Sequence, residues 1–222
     1  MVICISNILE PQTLQALREA LAPRILFEDG VVSAGAGAAV VKANLQGRAD
    51  AAVIRGACEK IRSSLLEHEV VRTAALPTAV ARVLINRYEA DMGYGWHSDE
   101  PFIENVRTDL SFTVFLSDPA SYEGGALEIT SSAGTEVIKL DAGSVLLYSS
   151  GDLHQVQTVT SGIRLAAVGW LQSRIRSSEQ RTLQFELANT LSSLPAAERT
   201  AAMELAAIRH KLVRMWSDST PK

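Results

Sequence analysis

Between residues 80 and 171 the sequence alternates short apolar segments with turns rich in Gly, Ser and Asp. The turns recur at intervals of roughly 8–12 residues, which is typical of antiparallel β structure. Strands are predicted at 80–88, 109–116, 126–130, 136–140, 144–148, 154–159 and 164–171. Short strands in such a series indicate an antiparallel sandwich, a jelly roll or a barrel.

Helical periodicity flanks this β region on both sides. Helices are expected over 11–21 and 50–69, with Asp50 as the N-cap of the second helix. Two further helices are expected over 179–194 and 196–216, with Met203 and Trp216 in a core. The fold class is therefore α+β with a mainly β core. Residues 1–176 would form one domain, with its β core at about 79–172, and residues 177–222 a C-terminal helical extension.

Composition narrows the classes of function. The chain has 222 residues and a formal net charge of −4, and its Lys and Arg residues are scattered, so we expect no nucleic-acid partner. No apolar run approaches the roughly 18 residues that span a bilayer, so we expect no membrane association. The two cysteines, Cys4 and Cys58, are interpreted as small buried core residues. This cysteine usage is typical of a protein in the reducing cytoplasm.

Three features of the β region suggest chemistry. In His97-Ser98-Asp99, residues i and i+2 of an extended segment point to the same side, so the imidazole and the carboxylate can reach one ion. His154 follows a turn, and Arg164 lies in the next predicted strand. Arg164 is out of place in a segment that otherwise reads as a buried strand, because a buried guanidinium needs an anionic partner. Trp170 has the same parity as Arg164 and should face the same interior.

Two histidines and one carboxylate form the facial triad of non-haem Fe(II) oxygenases. Three protein ligands leave three positions of an octahedral ion open, two for a bidentate 2-oxo acid and one for O₂. The far carboxylate of the keto acid then needs a fixed cation, and a guanidinium binds a carboxylate with two parallel hydrogen bonds. Arg164 fits this role. Each pattern alone is weak, since His-x-Asp occurs by chance and a lone histidine after a turn is usually a surface or core residue.

The chain resembles the PKHD-type hydroxylases, a bacterial branch of the prolyl 4-hydroxylase-like Fe(II)/2-oxoglutarate-dependent dioxygenases. The resemblance covers nearly the whole chain and rests on 29–30, 33–35, 41–46, 86–88, 93–99, 107–111, 115–119, 121–125, 147–148 and 154–156. It implies a double-stranded β-helix (jelly roll) flanked by N-terminal helices and a C-terminal helical extension. It also implies hydroxylation of a substrate, with 2-oxoglutarate and O₂ converted to succinate and CO₂, and L-ascorbate (vitamin C) as supporting reductant.

The resemblance assigns roles to individual residues. It implies His97, Asp99 and His154 as Fe(II) ligands and Arg164 as the 2-oxoglutarate anchor. Tyr88 matches a tyrosine that hydrogen-bonds the co-substrate in related hydroxylases, and its alternative is a core tyrosine with a satisfied hydroxyl. The loop between Asp99 and Arg107 looks several residues shorter than is usual in the family, so the family's substrate is not carried over to this chain by analogy.

Several alternatives stay open. Arg107 and Asp109 could shape the substrate mouth or form an ion pair at a strand end. The substrate could be a peptidyl proline, a free amino acid or a small metabolite. The helical extension either forms a homodimer contact or covers one face of the barrel. A non-redox module that binds a metal or a small acid could use the same barrel, because the three ligands also suit Zn²⁺. A zinc hydrolase is disfavoured, since hydrolysis does not need the buried Arg164.

Overall fold

The computed structural model describes residues 2–33, 39–131 and 134–218. Its α-helices are α1 (Pro11–Ala20), α2 (Ala52–Glu67), α3 (Glu69–Ala75), α4 (Ser178–Ser193) and α5 (Arg199–Trp216). Its strands are β1 (Ile3–Ile5), β2 (Phe27–Asp29), β3 (Lys42–Ala43), β4 (Leu45–Gly47), β5 (Pro77–Tyr88), β6 (Gly93–His97), β7 (Phe102–Ile103), β8 (Val106–Arg107), β9 (Leu110–Phe115), β10 (Tyr122–Gly124), β11 (Leu127–Ser131), β12 (Gly134–Ile138), β13 (Val145–Ser149), β14 (Leu153–Val156), β15 (Val159–Gly162) and β16 (Arg164–Ser173).

Most of the strands form two antiparallel sheets. The larger sheet has the order β1-β13-β9-β16-β5-β4-β2, and the smaller has the order β12-β11-β14-β6-β3. Consecutive strands of the chain are therefore often in different sheets, as in a jelly roll. β10 pairs with β15, and β7 pairs with β8 in a small hairpin. This architecture confirms the expected double-stranded β-helix with flanking helices.

The alternation of side chains along the larger sheet produces two separate cores. On β16, Leu165, Ala167 and Leu171 pack into one core with Ile61 and Leu65 of α2. The opposite face looks toward the smaller sheet, where the second core contains Tyr88, Phe115, Leu127, Ile129 and Val156 among others. Because the helices cover only one face of the larger sheet, its other face is left to line an internal cavity.

The N-terminal helical region departs from expectation at both ends. Asp50 was expected to cap α2, but the N-cap is Ala51 without a side-chain hydrogen bond, and Asp50 pairs with Arg48 instead. The predicted helix over 50–69 ends at Glu67, because His68 adopts an extended backbone (φ −70°, ψ 124°), and α3 then begins at Glu69. The periodicity thus continues across a break that it could not reveal.

The C-terminal helices dock mainly through α4. Arg181 and Gln184 are its buried residues, and Arg181 donates hydrogen bonds from Nη1 to the carbonyls of Ile175 (2.8 Å) and Arg176 (2.7 Å). The prediction that Met203 of α5 is a core residue is wrong, since it is 69% exposed. Cys4 is also exposed rather than buried, because β1 turns its side chain outward. In the described part of the chain, no helix has the length and hydropathy needed to cross a bilayer.

Candidate metal centre

Two histidines and an aspartate meet inside the barrel. His97 ends β6 and His154 lies on β14, and the two residues are direct cross-strand partners. Asp99 follows His97 by two residues, and its Oδ2 lies 3.7 Å from Nε2 of His154. Ligand atoms of the three residues all lie within 4.8 Å of one another. The donor set of two imidazoles and one carboxylate is the facial arrangement that suits Fe(II).

Backbone carbonyls fix the orientation of both imidazoles. Nδ1 of His97 lies 2.8 Å from the carbonyl oxygen of Gly95, and Nδ1 of His154 lies 2.9 Å from that of Asp152. If each Nδ1–H donates to its carbonyl, each Nε2 lone pair is directed at the shared point. Burial, together with the neighbouring His154 and Lys42, lowers the pKa of His97 to about 4. At neutral pH this imidazole is uncharged, as a metal ligand must be.

A short chain of hydroxyl groups supports the carboxylate. The Ser111 hydroxyl donates to Oδ2 of Asp99 at 2.5 Å, and the Ser150 hydroxyl lies 2.9 Å from that of Ser111. The backbone N–H of Asp99 donates to the Ser150 carbonyl at 3.2 Å. Both serines are 2% exposed. They therefore hold one ligand in a fixed orientation before any ion binds.

Arg164 begins β16 opposite Tyr88 of β5. It is 1% exposed, and its Nε, Nη1 and Nη2 have no hydrogen-bond partner among the described residues. Its guanidinium lies 5.1 Å from the Tyr88 ring centroid and 5.6 Å from that of Phe115. Aromatic rings compensate a buried cation only in part. A guanidinium without an anion, in the cavity that holds the three candidate ligands, fits the far carboxylate of a 2-oxo acid.

Other buried polar atoms also lack a hydrogen-bond partner among the described residues, and one of them, Oδ1 of Asn86, belongs to a residue that lines the cavity. They include both side-chain polar atoms of Asn44, Oδ1 of Asn86 and the hydroxyl of Tyr122. Burial raises the pKa of Tyr88, against the opposing effect of Arg164, so its hydroxyl remains a hydrogen-bond donor. A carboxylate could accept hydrogen bonds from the Asn44 amide N–H and the Tyr122 hydroxyl, whereas the two amide oxygens need a donor instead.

The remaining residues singled out in the sequence divide into two groups. Trp170 lines the cavity together with Arg164, and its Nε1 is buried without a partner among the described residues. Arg107 and Asp109 are absent from the cavity lining. They form a two-bonded ion pair at 2.7 and 2.9 Å, the strand-end alternative, and Arg107 also contacts Asp218 at 2.9 Å.

Sequence reasoning missed several lining residues. Lys42 is 8% exposed and lies with its Nζ 5.4 Å from the ring centroid of Tyr94. The Tyr94 ring in turn stacks on His97 at 3.7 Å, and Tyr148 contacts His154 edge-on at 5.1 Å. The alternation in 41–46 could have indicated that Lys42 and Asn44 share one side of the backbone. The contacts to His97 depend on pairing of β3 with β6, which no local pattern predicts.

The chain is similar to known proteins over its whole length. The model of the 2OG-Fe(II) oxygenase superfamily matches residues 83–172. A PKHD-type hydroxylase of Parvibaculum lavamentivorans is 42% identical over 98% of this chain and 100% of its own. One from Hyphomonas neptunium is 40% identical over 99% and 100%.

Solved structures share the fold at low identity. A prolyl-4-hydroxylase of Pseudomonas putida aligns with a TM-score of 0.55 and 16% identity, over 78% of this chain and 92% of that one. A prolyl hydroxylase of Trichoplax adhaerens aligns with a TM-score of 0.56 and 15% identity, over 82% and 86%. The sequence relatives, together with the superfamily model, establish that the chain belongs to the PKHD-type hydroxylases of the 2OG-Fe(II) oxygenase superfamily.

Proposed function

We propose that in this Fe(II)- and 2-oxoglutarate-dependent hydroxylase His97, Asp99 and His154 bind the iron, while Arg164 and Tyr88 bind the far carboxylate of 2-oxoglutarate. The observation that carries the proposal is the buried guanidinium of Arg164, whose three nitrogens have no partner in the described chain. A structural arginine at 1% exposure would be surrounded by acceptors. Arg164 is instead placed for an acceptor that arrives with a ligand.

Bound Fe(II) and 2-oxoglutarate supply the oxidising chemistry, in which O₂ is consumed and the keto acid becomes succinate and CO₂. The chain's own contribution is orientation. Ser111 and Ser150 fix Asp99, and the carbonyls of Gly95 and Asp152 fix the imidazoles. The apolar residues of the inter-sheet core keep bulk water from the far end of the cavity.

The substrate, the reductant and the location are finer proposals. The Trichoplax neighbour was solved with a peptide of hypoxia inducible factor, so a peptidyl proline is one candidate beside a free amino acid or a small metabolite. We propose L-ascorbate as supporting reductant and the cytoplasm as location, by analogy with the family. A homodimer through the helical extension 177–222 is proposed from the exposed apolar side chains of Leu183, Met203 and Met215.

Anaerobic reconstitution tests the iron and co-substrate assignments. Fe(II) and 2-oxoglutarate are added to metal-free protein, the visible charge-transfer band is recorded, and succinate is measured after O₂ is admitted. The band and the succinate should both disappear in His154→Ala. They should persist in the control His210→Ala, because His210 is an exposed residue of α5. Folded protein that binds Fe(II) but gives neither signal would instead support a non-redox binding module.

A further inference from the structure

A second buried tyrosine packs beside Arg164. Tyr122 is on the short strand β10, and its direct cross-strand partner is Gly162 of β15, two residues before Arg164. Gly125 lies against both side chains, since a Cβ at this position would be 3.0 Å from Cδ of Arg164 and 3.1 Å from Cε2 of Tyr122. Its φ of +63° is also in the region that favours glycine. The absence of a side chain at Gly125 therefore lets the tyrosine ring and the arginine stem approach each other.

The hydroxyl of Tyr122 has no acceptor for its proton. Tyr122 is 3% exposed, and the hydroxyl has no hydrogen-bond partner among the described residues. Arg164 cannot supply the acceptor, because a guanidinium only donates. Even a guanidinium that donates to the phenol oxygen leaves the O–H proton unpaired. The two side chains thus form a buried cluster of donors, which is unfavourable without an acceptor.

The charged groups around Tyr122 leave its hydroxyl in the protonated form. Burial raises the pKa of Tyr122 and Asp118 adds to this shift, while the nearby guanidinium of Arg164 opposes it. The Asp118 carboxylate does not serve as the acceptor, since its Oδ1 accepts from the backbone N–H of Ala120 at 2.9 Å. Nζ of Lys139 donates to the Tyr122 carbonyl at 2.8 Å and lies 3.9 Å from the ring centroid, so it fixes the position of the ring.

The other unpartnered acceptors of this region lie beside a different hydroxyl. Oδ1 of Asn44 and Oδ1 of Asn86 have no donor among the described residues. The two amides lower the pKa of Tyr88 by hydrogen bonding, and neither acts on the pKa of Tyr122. An acceptor for the donors of Tyr122 and Arg164 must therefore come from a ligand. A carboxylate fits, because its two oxygens accept several hydrogen bonds at once.

We propose that Tyr122 is a further residue that binds the far carboxylate of 2-oxoglutarate, with its hydroxyl donating to this carboxylate beside Arg164. The inference deepens the proposed function and rests on it, because Arg164 lines the cavity and brings the carboxylate to the hydroxyl. Tyr122 thereby becomes a determinant of co-substrate choice. A 2-oxo acid with an apolar end would leave both the guanidinium and the hydroxyl unpaired, and would bind weakly for that reason.

Two 2-oxo acids of equal length test the proposal. 2-Oxopentanoate has a methyl group where 2-oxoglutarate has its far carboxylate, and both acids present the same chelating end. The Kd of each acid is measured anaerobically on the Fe(II) protein from the charge-transfer band. Tyr122→Phe should raise the Kd of 2-oxoglutarate about tenfold or more, since a hydrogen bond to a charged group is lost. The Kd of 2-oxopentanoate should change by less than about threefold, because this acid has no acceptor at its far end.

Ser121→Ala is the matched control. It removes a hydroxyl from the preceding residue, which is exposed and donates to the Asp118 carbonyl at 2.6 Å. Both Kd values should stay as in the unaltered protein. The metal-free Tyr122→Phe protein should also keep its Tm, because no protein group loses a partner. An equal loss of affinity for the two acids, or a clear fall in this Tm, would show a structural role and overturn the proposal. An unchanged Kd of 2-oxoglutarate would overturn it as well.

Arg164→Met separates failure of this inference from failure of the proposed function. In the same titrations this variant should lose the preference for 2-oxoglutarate over 2-oxopentanoate. If Arg164→Met loses the preference and Tyr122→Phe keeps it in full, the role of Tyr122 is refuted and the proposed function stands. If the preference survives in Arg164→Met, or if neither acid binds to the unaltered Fe(II) protein, the proposed function is refuted and the inference with it.

Discussion

Replacement of Arg164 by Met should increase the stability of the metal-free protein and weaken its binding of 2-oxoglutarate. Arg164 is 1% exposed, and its three side-chain nitrogens have no hydrogen-bond partner among the described residues, so its charge destabilises the folded state. Burial of an uncompensated charge costs several kcal/mol, and the cation–π contacts of Arg164 with the rings of Tyr88 and Phe115 offset about 1–2 kcal/mol of this cost. Met fills a similar volume without charge. We expect a gain of roughly 2 kcal/mol, or about 4–8 °C in Tm for a domain of this size.

The same substitution removes the fork that would bind the far carboxylate of 2-oxoglutarate. Two hydrogen bonds to a charged group contribute about 3 kcal/mol or more, so the Kd should rise at least roughly a hundredfold. Titration of the anaerobic Fe(II) protein measures this Kd through the charge-transfer band, and thermal unfolding of the chelated protein measures the Tm.

Arg181→Met is the matched control. Arg181 is 2% exposed, but it donates to the carbonyls of Ile175 and Arg176, which would be left unsatisfied. This variant should lose about 1–3 kcal/mol of stability and keep its affinity for 2-oxoglutarate. If Arg164→Met behaved like Arg181→Met in both assays, Arg164 would be a structural arginine and the reasoning would be refuted.

Three further outcomes follow from the site. Ser111→Ala should weaken the binding of Co(II) or Mn(II) by about 10–100-fold with little change in fold, because Asp99 loses the hydrogen bond that fixes its orientation. A metal titration that gives the same Kd as the unaltered protein would contradict this. The free energy of unfolding of the metal-free protein should fall by up to roughly 3 kcal/mol as the pH is lowered from about 6.5 toward 4. The reason is that the pKa of His97 is lowered to about 4 in the folded state, so the unfolded chain takes up the proton first. In His97→Gln the unfolding midpoints should show much less of this pH dependence. Lys42→Met should stabilise the metal-free protein by about 1–3 kcal/mol below pH 8, and this gain in stability should shrink toward pH 10.5. The reason is that burial lowers the pKa of Lys42 to about 8 in the folded state, so folding opposes its protonation. A difference in Tm from the unaltered protein that does not change with pH would refute the electrostatic origin.

The alternation of side chains predicted correctly which residues face the interior where their position depends on a single strand. Arg164 and Trp170 have the same parity on β16, and both line the cavity. Met203 was assigned to a core by the same reasoning and is exposed, since a helical pattern does not reveal whether another element covers that face. Cys4 shows the corresponding limit for a three-residue strand at a sheet edge.

Residues that act through another strand were beyond the reach of the sequence. Ser111 on β9 contacts Ser150, which follows β13, and both reach Asp99 only because those strands are neighbours. Lys42 required the pairing of β3 with β6. Arg107 and Asp109 left two interpretations open in the sequence, and the ion pair between them became visible only in the structure.

The direct pairing of His97 with His154 makes the candidate centre an all-or-none property of two strands. A slip of one residue between β14 and β6 would turn His154 outward and bring Leu153 or Gln155 to its place. The two histidines are therefore either side by side in the correct register or separated, and a shift between the strands cannot move them apart by small steps. Amide hydrogen exchange along β14 would accordingly report the integrity of the centre in protein that carries no metal.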